Sequence, residues 1–160
     1  MLLKFLADSM LGKLTRWLRM LGYDTTYADN LDDKKLVEMA KAEERILLTR
    51  DSELYRFAKA REVRAFFVEE RSRSEQLAAL SRQFNLSLEL NPDISRCPLC
   101  NADISPARKD SICESIPEAT ARVCEEFWKC VNCGKIYWRG AHWKKIVETL
   151  RNANSILKDG

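Results

Sequence analysis

Ile46-Leu47-Leu48-Thr49-Arg50-Asp51 is the stretch that decides the fold of this chain. A short apolar run that stops at a carboxylate, with a helical pattern after it, predicts a buried central strand that delivers Asp51 to the edge of a sheet. The run Leu2-Leu3-Lys4-Phe5-Leu6-Ala7 has the same character, because it stops at Asp8 and an amphipathic helix follows. Ligands of open α/β sheets bind beyond the carboxyl ends of the strands. The two aspartates are therefore candidates for one site.

Composition and charge limit the class of protein. The chain has 160 residues, of which 46% are hydrophobic and 32% charged, enough for one full core and a smaller module. No apolar stretch reaches the roughly 18 residues of a membrane span, and the first apolar run is too short for a signal peptide. We therefore expect a cytoplasmic protein with no membrane partner. The net charge of +3 lies entirely in residues 96–160, because residues 1–95 carry 16 acidic and 16 basic side chains.

The order of elements predicts an α/β domain. The pattern runs strand, helix, strand, helix, strand, which implies crossover connections and a mainly parallel sheet. Residues 63–68 predict a fourth strand, and the alternation in residues 86–90 predicts an edge strand. Asn91-Pro92-Asp93 closes this domain, so we assign residues 1–93 to it. Residues 94–160 form the second unit.

Cysteine spacing predicts a metal site in the second unit. Cys97-Pro98-Leu99-Cys100 and Cys130-Val131-Asn132-Cys133 are two Cys-x-x-Cys knuckles with 29 residues between them. Two such knuckles complete a tetrahedral site of four thiolates for Zn²⁺, with no open coordination position. The zinc is therefore expected to be structural, in a zinc ribbon.

The remainder of the second unit is assigned from residue types. Ile116-Pro117 and residues 123–128 are predicted to supply ribbon strands, and a helix is predicted from Lys144 to about Leu157. Cys113 and Cys124 have no partners at metal-ligand spacing. We interpret them as small buried hydrophobic residues.

Aromatic residues alternate with cations between Lys135 and Lys145, and no acid occurs between Phe127 and Val147. Aromatic faces stack on bases and cations meet phosphates, so this segment predicts binding of nucleic acid. The candidate contacts are Lys135, Arg139, His142, Trp143, Lys144 and Lys145. The alternative is that the aromatic residues cover the small ribbon core and that His142 is an ordinary packed residue.

The positions of the acidic residues indicate what chemistry the predicted site could carry out. Asp8, Asp33 and Asp51 each stand beside the start of a helical pattern, and Glu38 lies in the helix that begins near Asp33. Two carboxylates about 4 Å apart repel by roughly 4 kcal/mol at an effective dielectric constant of 20, so such a cluster needs a cation or raised pKa values. Hard oxygen ligands select Mg²⁺ or Mn²⁺, which can activate water for phosphodiester hydrolysis. The alternative for each aspartate is a helix N-cap.

The helix after Asp8 carries a row of cations at positions Lys13, Arg16 and Arg19. They fall on a different stripe from the apolar residues of the same helix. One interpretation is a solvated helix face, and the other is a row that faces phosphates, because the helix begins at the proposed crevice.

Several motifs together resemble the Mut-seven C-terminal RNase family. They are residues 5–14, residues 17–24, residues 46–51, the two cysteine knuckles and Tyr137-Trp138-Arg139-Gly140-Ala141-His142-Trp143. The resemblance covers nearly the whole chain. It implies a PIN-like three-layer α/β domain with a mainly parallel sheet, an appended zinc ribbon with a terminal helix, and RNase activity that uses Mg²⁺ or Mn²⁺.

The resemblance also assigns positions. Asp8 and Asp51 match the strand-end acids of the family, and Asp33 matches its acidic position before the second helix. Arg16 and Arg19 match the basic positions of its first helix. Glu38, Glu69 and Glu70 remain candidates for a further acid.

Three functional hypotheses follow. The first is a metal-dependent RNase whose substrate is RNA, with ribosomal and transfer RNA as candidates. The second is a non-catalytic RNA-binding or ribosome-binding protein in which the acids are only caps. The third, another α/β enzyme of phosphate chemistry, is disfavoured because the chain has no P-loop and because Met10 stands where a dehalogenase-like phosphatase needs a second aspartate.

Overall fold

The structure is a computed structural model that describes residues 2–160. Four short strands form its main sheet. They are β1 (Lys4–Ala7), β2 (Asp24–Tyr27), β3 (Ile46–Thr49) and β4 (Ala65–Phe67). Every neighbouring pair is parallel, and the order is β2-β1-β3-β4, so β1 and β3 are the central pair. The prediction of an α/β fold with a parallel sheet is confirmed.

Helices connect the strands and cover both faces of the sheet. They are α1 (Gly12–Met20), α2 (Asp33–Ala42), α3 (Ser52–Ala60) and α4 (Arg73–Phe84). Side chains alternate between faces along a strand. Phe5 and Ala7 therefore pack with α1 and α4 on one side, whereas Leu6 packs with α2 and α3 on the other. These two apolar cores make the domain a three-layer structure.

The predicted edge strand at residues 86–90 is wrong, because the structure has no strand there. Leu86 and Leu88 instead enter the core on the α1 side of the sheet. Side-chain hydroxyls also donate hydrogen bonds to backbone carbonyls in this segment that would otherwise bond to a neighbouring strand. The hydroxyl of Ser81 donates to the Leu86 carbonyl, and the hydroxyl of Tyr23 donates to the Ser87 carbonyl.

Three antiparallel strands form a second sheet around the cysteines. They are β5 (Ile104–Ala107), β6 (Phe127–Cys130) and β7 (Ile136–Tyr137), in the order β5-β6-β7. Two short helices, α5 (Lys109–Ile112) and α6 (Glu118–Val123), lie between β5 and β6. We call residues 96–145, which run into the first turn of the last helix, the ribbon.

Two details of the ribbon differ from the sequence prediction. Ile116-Pro117 is not in a strand, because Pro117 precedes α6, and only the end of residues 123–128 belongs to β6. Cys124 does pack against the ribbon core, whereas Cys113 is exposed, so the prediction of burial is wrong for Cys113.

The last helix, α7 (Trp143–Asp159), packs along α4 and so returns the chain to the main sheet. Leu150 and Ala153 are buried in the core on the α1 side. The hydroxyl of Ser74 donates to the Thr149 carbonyl at 3.0 Å. None of the helices in residues 2–160 is long and apolar enough to cross a membrane.

Arg19 connects the main sheet to the ribbon. It is only 8% exposed, and its guanidinium donates to two carbonyls, that of Thr25 at 2.8 Å and that of Pro98 at 2.9 Å. The backbone N–H of Arg96 donates to the Arg19 carbonyl at 2.8 Å. Burial lowers the pKa of Arg19, and the neighbouring sulfurs of the first knuckle partly offset this effect. The guanidinium thus holds strand β2 and the first knuckle together.

A second contact closes the free edge of β2. Asn101 accepts a hydrogen bond from the Thr25 N–H at 3.1 Å and donates from Nδ2 to Asp24 at 2.7 Å. Covering an edge strand in this way prevents it from pairing with another chain. The linker, residues 85–95, lies close to Gly22, where φ is +96° and an added Cβ would lie 2.9 Å from the Ile94 carbonyl oxygen. The ribbon is therefore firmly docked.

This contact yields a first prediction. Arg19→Met leaves two carbonyl acceptors without a donor, so we expect it to lower the free energy of unfolding by about 2–4 kcal/mol. Arg16→Met, on the exposed side of the same helix, is the matched control and should change it by less than about 0.5 kcal/mol. Urea unfolding of the zinc-loaded variants measures both. Equal effects would contradict the structural role of Arg19.

Candidate functional site

Asp8 follows β1 at the centre of the sheet edge and is only 5% exposed. Its backbone N–H donates to the Leu48 carbonyl at 3.2 Å, which holds it against β3. Its carboxylate accepts from the Met10 N–H at 3.0 Å on one oxygen and from the Thr49 hydroxyl on the other. Asp8 is the N-cap of a short 3₁₀ turn (Ser9–Leu11) that leads into α1, as one of its two interpretations predicted.

Thr49 is fully buried and connects the two strand-end aspartates. Its hydroxyl donates to Asp8 Oδ2 and accepts from the Asp51 backbone N–H at 2.9 Å. One hydroxyl thus fixes the carboxylate of Asp8 and the backbone at Asp51. Thr49 was not predicted from the sequence as a site residue. The feature that could have indicated it is a hydroxyl at the polar end of an otherwise apolar strand.

Asp51 is the N-cap of α3, as one of its two interpretations predicted. Its Oδ1 accepts from the Glu53 N–H at 2.9 Å and from the Leu54 N–H at 3.3 Å. Oδ2 has no hydrogen-bond partner among residues 2–160, and Asp51 is exposed. An ionised carboxylate offers about four lone-pair positions. Capping therefore leaves Asp51 able to bind a ligand.

Asp33 is the first residue of α2 and not its N-cap. The cap is Asp32, which accepts from the Lys35 N–H at 2.8 Å. The interpretation of Asp33 as a cap is therefore wrong, and its exposed carboxylate is not used to begin the helix.

Sheet topology brings the acids to one edge, because β1, β2 and β3 are parallel and Asp8, Asp33 and Asp51 all follow their carboxyl ends. Burial is the largest cause that raises the pKa of Asp33, and the negative charges of Asp51, Asp32, Glu53 and Asp8 raise it further. The ends of β1 and β3 and the start of α2 thus meet at one edge of the sheet. We call Asp8, Asp33, Asp51 and Glu53 the acidic cluster; Glu53 was not predicted from the sequence.

The carboxylates of the acidic cluster are not packed closely together. Within the described residues, only the four knuckle cysteines place three or more ligand atoms within 4.8 Å of one another. Mg²⁺ keeps several waters and uses one or two carboxylates, so it does not require a closed protein cage. Carboxylate oxygens are the kind of ligand that Mg²⁺ and Mn²⁺ accept, so Asp8, Asp33 and Asp51 are the residues that could hold such an ion.

The other candidate acids lie elsewhere. Glu38 is exposed on α2, five residues beyond Asp33, which is about 140° around the helix, so the two carboxylates leave it on different faces. Glu69 is exposed after β4. Glu70 is different, because its Oε2 is buried with no hydrogen-bond partner in residues 2–160, and its carbonyl accepts from Arg50 at 2.6 Å. Glu70 therefore lies beside the turn that leads into Asp51.

The cations of α1 do not form one row. Lys13 and Arg16 are exposed. Arg19 points inward and uses its guanidinium on Thr25 and Pro98. Two exposed cations remain on the helix that begins at the acidic cluster.

The four knuckle cysteines form a second possible metal site. All four sulfurs lie within 4.8 Å of one another, with 3.7 Å between those of Cys97 and Cys133 and 3.4 Å between those of Cys100 and Cys130. Sulfurs at about 2.3 Å from a tetrahedral Zn²⁺ stand about 3.8 Å apart. The geometry therefore fits zinc with four thiolates, as the spacing predicted.

The thiols influence one another strongly. A backbone hydrogen bond from Ala102 is the largest cause that lowers the pKa of Cys100, to about 6. At Cys133 a backbone hydrogen bond from Lys135 acts in the same direction, but burial and three neighbouring sulfurs outweigh it and raise the pKa to about 11. Four thiols this close cannot all ionise without a cation between them.

Tyr137 supports the cysteine site from the second coordination sphere. Its hydroxyl lies 3.0 Å from Cys97 Sγ. Burial first, and then the contact with Cys97, raise the pKa of Tyr137. The phenol hydroxyl is thus positioned to hydrogen-bond to the sulfur. Such contacts orient metal ligands and strengthen binding.

The basic segment of the ribbon has a mixed role. Lys135, His142, Lys144 and Lys145 are exposed. Trp138, by contrast, packs on Phe127 in the ribbon core, with 6.4 Å between ring centroids. The interpretation of the aromatic residues as core is therefore right for Trp138.

Arg139 lies between two indoles. Its guanidinium carbon is 5.3 Å from the ring centroid of Trp128 and 5.1 Å from that of Trp143. It also bonds to Glu126, and 43% of the Arg139 side chain is exposed.

These features define an α/β domain with acids at the carboxyl edge of a parallel sheet and a docked four-cysteine module. A family model described as the Mut7-C RNAse domain matches residues 3–150. The chain belongs to this family, as its motifs predicted. No curated protein and no solved structure gives a significant match to the chain.

The position of Thr49 leads to a second prediction. Thr49→Val removes the hydroxyl that Asp8 and the Asp51 N–H share, so we expect it to lower the free energy of unfolding by about 1–3 kcal/mol and to weaken Mn²⁺ binding. Thr49→Ser keeps the hydroxyl and is the matched control. Calorimetry with and without Mn²⁺ measures both effects. Wild-type Mn²⁺ affinity in a folded Thr49→Val variant would rule out the positioning role.

Proposed function

We propose that the protein is a divalent-metal-dependent ribonuclease that hydrolyses RNA phosphodiesters at the acidic cluster. The observation that carries the proposal is the meeting of Asp8, Asp33 and Asp51 at the carboxyl edge of the sheet. Membership of the Mut7-C RNAse domain family supports RNA as the substrate class. Ribosomal and transfer RNA are candidate substrates.

Asp8 and Asp51 are the proposed ligands of Mg²⁺ or Mn²⁺. When bound, such an ion activates water and neutralises the charge on the phosphodiester. Asp8 is the rigid ligand, because Thr49 and the Met10 N–H hold its carboxylate. Asp51 contributes Oδ2, which capping leaves free. Of the acids that remained open, Glu70 is preferred to Glu38 because its buried oxygen lacks a partner.

Asp33 is proposed to make metal binding depend on pH. Its raised pKa means that it holds a proton to higher pH than an ordinary aspartate. A cation at the cluster favours the charged form and displaces that proton, so affinity for Mn²⁺ should rise as the pH rises through the raised pKa. Below that pKa the proton competes with the metal.

RNA is proposed to contact both units. Lys13 and Arg16 lie on the helix that leaves the acidic cluster, and they meet phosphates there. The ribbon supplies further contacts, with a structural Zn²⁺ that holds its knuckles. These contacts are Lys135, Arg139, His142, Trp143, Lys144 and Lys145.

A third prediction tests catalysis. The double variant Asp8→Asn, Asp51→Asn removes two anionic ligands, so we expect loss of Mn²⁺-dependent cleavage of labelled RNA and retention of RNA binding. Zinc content and circular dichroism confirm that the variant is folded. Metal dependence is tested by adding or omitting Mn²⁺. Chelators are not used, because they also remove zinc from thiolate sites.

The main alternative is a non-catalytic RNA-binding protein. It is favoured by the hydrogen bonds that Asp8 and Asp51 make as helix caps. If parent and double variant behave alike in cleavage and Mn²⁺ binding, and differ only in stability by about 1 kcal/mol, the acids are caps and this alternative holds.

A fourth prediction concerns the ribbon. Lys144→Gln with Lys145→Gln should weaken RNA binding and flatten the dependence of log K on log salt by about 1.4, because two phosphate contacts to a single strand are lost. Lys41→Gln with Lys59→Gln, on exposed ends of α2 and α3, is the matched control and should leave the slope unchanged. Fluorescence anisotropy at several salt concentrations measures the slope. Equal slopes for both pairs would exclude a phosphate-facing ribbon.

A further inference from the structure

A cavity of about 130 Å³ lies where the ribbon, the linker and α7 meet. Trp128, Tyr137 and Trp143 form its aromatic walls. Met20 at the end of α1 and Leu90 in the linker close the other side. The cavity thus exists only because the ribbon is docked on the main sheet.

Strand register explains why the cavity is aromatic. Trp128 on β6 is paired with Tyr137 on β7, so their side chains share one face of the ribbon sheet. Phe127 and Ile136 point to the opposite face, where they form the ribbon core. Trp128 and Tyr137 therefore lie on the face of the ribbon sheet away from the ribbon core, where they line the cavity.

Arg139 contributes a cation at the cavity. It lies between the indoles of Trp128 and Trp143, and nearly half of its side chain reaches solvent. Its acidic neighbour, Glu126, already bonds to it. The segment that follows, up to Val147, carries no acid. The site therefore suits a flat, uncharged group attached to an anionic chain.

The volume limits the occupant. An apolar cavity of about 150 Å³ holds one benzene molecule. A cavity of about 130 Å³ therefore takes one planar ring of that size. A peptide aromatic side chain would fit by size alone, but Arg96 and Arg139, which line the cavity, favour a ring carried by phosphates.

We propose that this cavity holds one unpaired base of a single-stranded RNA, packed against its aromatic walls with the guanidinium of Arg139 beside it. The proposal rests on RNA as the substrate of the proposed function, but not on cleavage. Stacking on aromatic side chains tolerates different bases, because every base has a π-face. The pocket therefore does not read the hydrogen-bonding edge of the base, but its volume favours the single ring of a pyrimidine over the two rings of a purine.

The first helix connects this pocket to the acidic cluster. Lys13, Arg16 and Met20 are spaced by three and four residues, so they share one stripe of α1. Met20 lines the cavity, while α1 begins beside Asp8. Nine helical residues span about 14 Å. A strand anchored in the cavity can therefore run past Lys13 and Arg16 with its scissile bond a few nucleotides from the anchored base.

The test measures RNA binding by variants in which we expect RNA cleavage to be abolished. Every protein carries Asp8→Asn and Asp51→Asn, so that the RNA stays intact. The probes are a labelled uridine 12-mer and a 12-mer of the same sugar-phosphate chain without bases. Trp143→Leu removes the flat ring, and Trp143→Phe keeps one as the matched control. Zinc content and melting temperature verify the fold of each variant.

We expect Trp143→Leu to weaken binding of the uridine 12-mer about tenfold and binding of the abasic 12-mer less than twofold. Trp143→Phe should stay within threefold of the parent on both probes. Equal losses on both probes, or equal affinity of the parent for both, would overturn the base pocket while leaving RNA as the substrate. A parent that binds neither probe would overturn the RNA substrate itself.

Discussion

The structure depends on the parallel pairing of β1 with β3 at the centre of the main sheet. Both strands are buried on two faces, so each must consist of apolar residues along its length and can carry polar groups only at its end. Because the strands are parallel, their ends reach the same edge. Asp8 and Asp51 are therefore neighbours, and the buried Thr49 hydroxyl joins them.

The second constraint is the docking of the ribbon. The guanidinium of Arg19 bonds to Thr25 of the sheet and to Pro98 inside the first knuckle, and Asn101 bonds to the free edge of β2. The cysteine site thus does more than hold a small module together. The four cysteines fit zinc, and an ion bound there would keep the first knuckle in the shape that meets the sheet. The ribbon surface is held at a set distance from the acidic cluster, about one helix length away.

The two possible metal sites differ in kind. The four thiols are packed to nearly the separation that tetrahedral zinc requires, which suits an ion that stays bound. Burial and the neighbouring acids raise the pKa of Asp33, but the acids at the sheet edge lie farther apart than the thiols, at helix starts and partly in water. Such an arrangement suits a hydrated ion that shares its coordination sphere with a substrate. Structural support and proposed chemistry are thus separated within 160 residues.

The sequence by itself determined the parallel α/β domain, the strand-end aspartates and the four-cysteine site, because these depend on local periodicity and short spacing. It could not distinguish Arg16 from Arg19, since burial depends on where the ribbon docks. It also assigned residues 86–90 to a strand, because alternation alone does not show whether a neighbouring strand exists. Only the tertiary structure decided that Thr49 joins two aspartates, that Glu53 enters the acidic cluster and that Trp128 and Trp143 meet around Arg139. Each of these is a contact between elements that are distant or differently oriented in the chain, and such contacts follow from packing and not from local pattern.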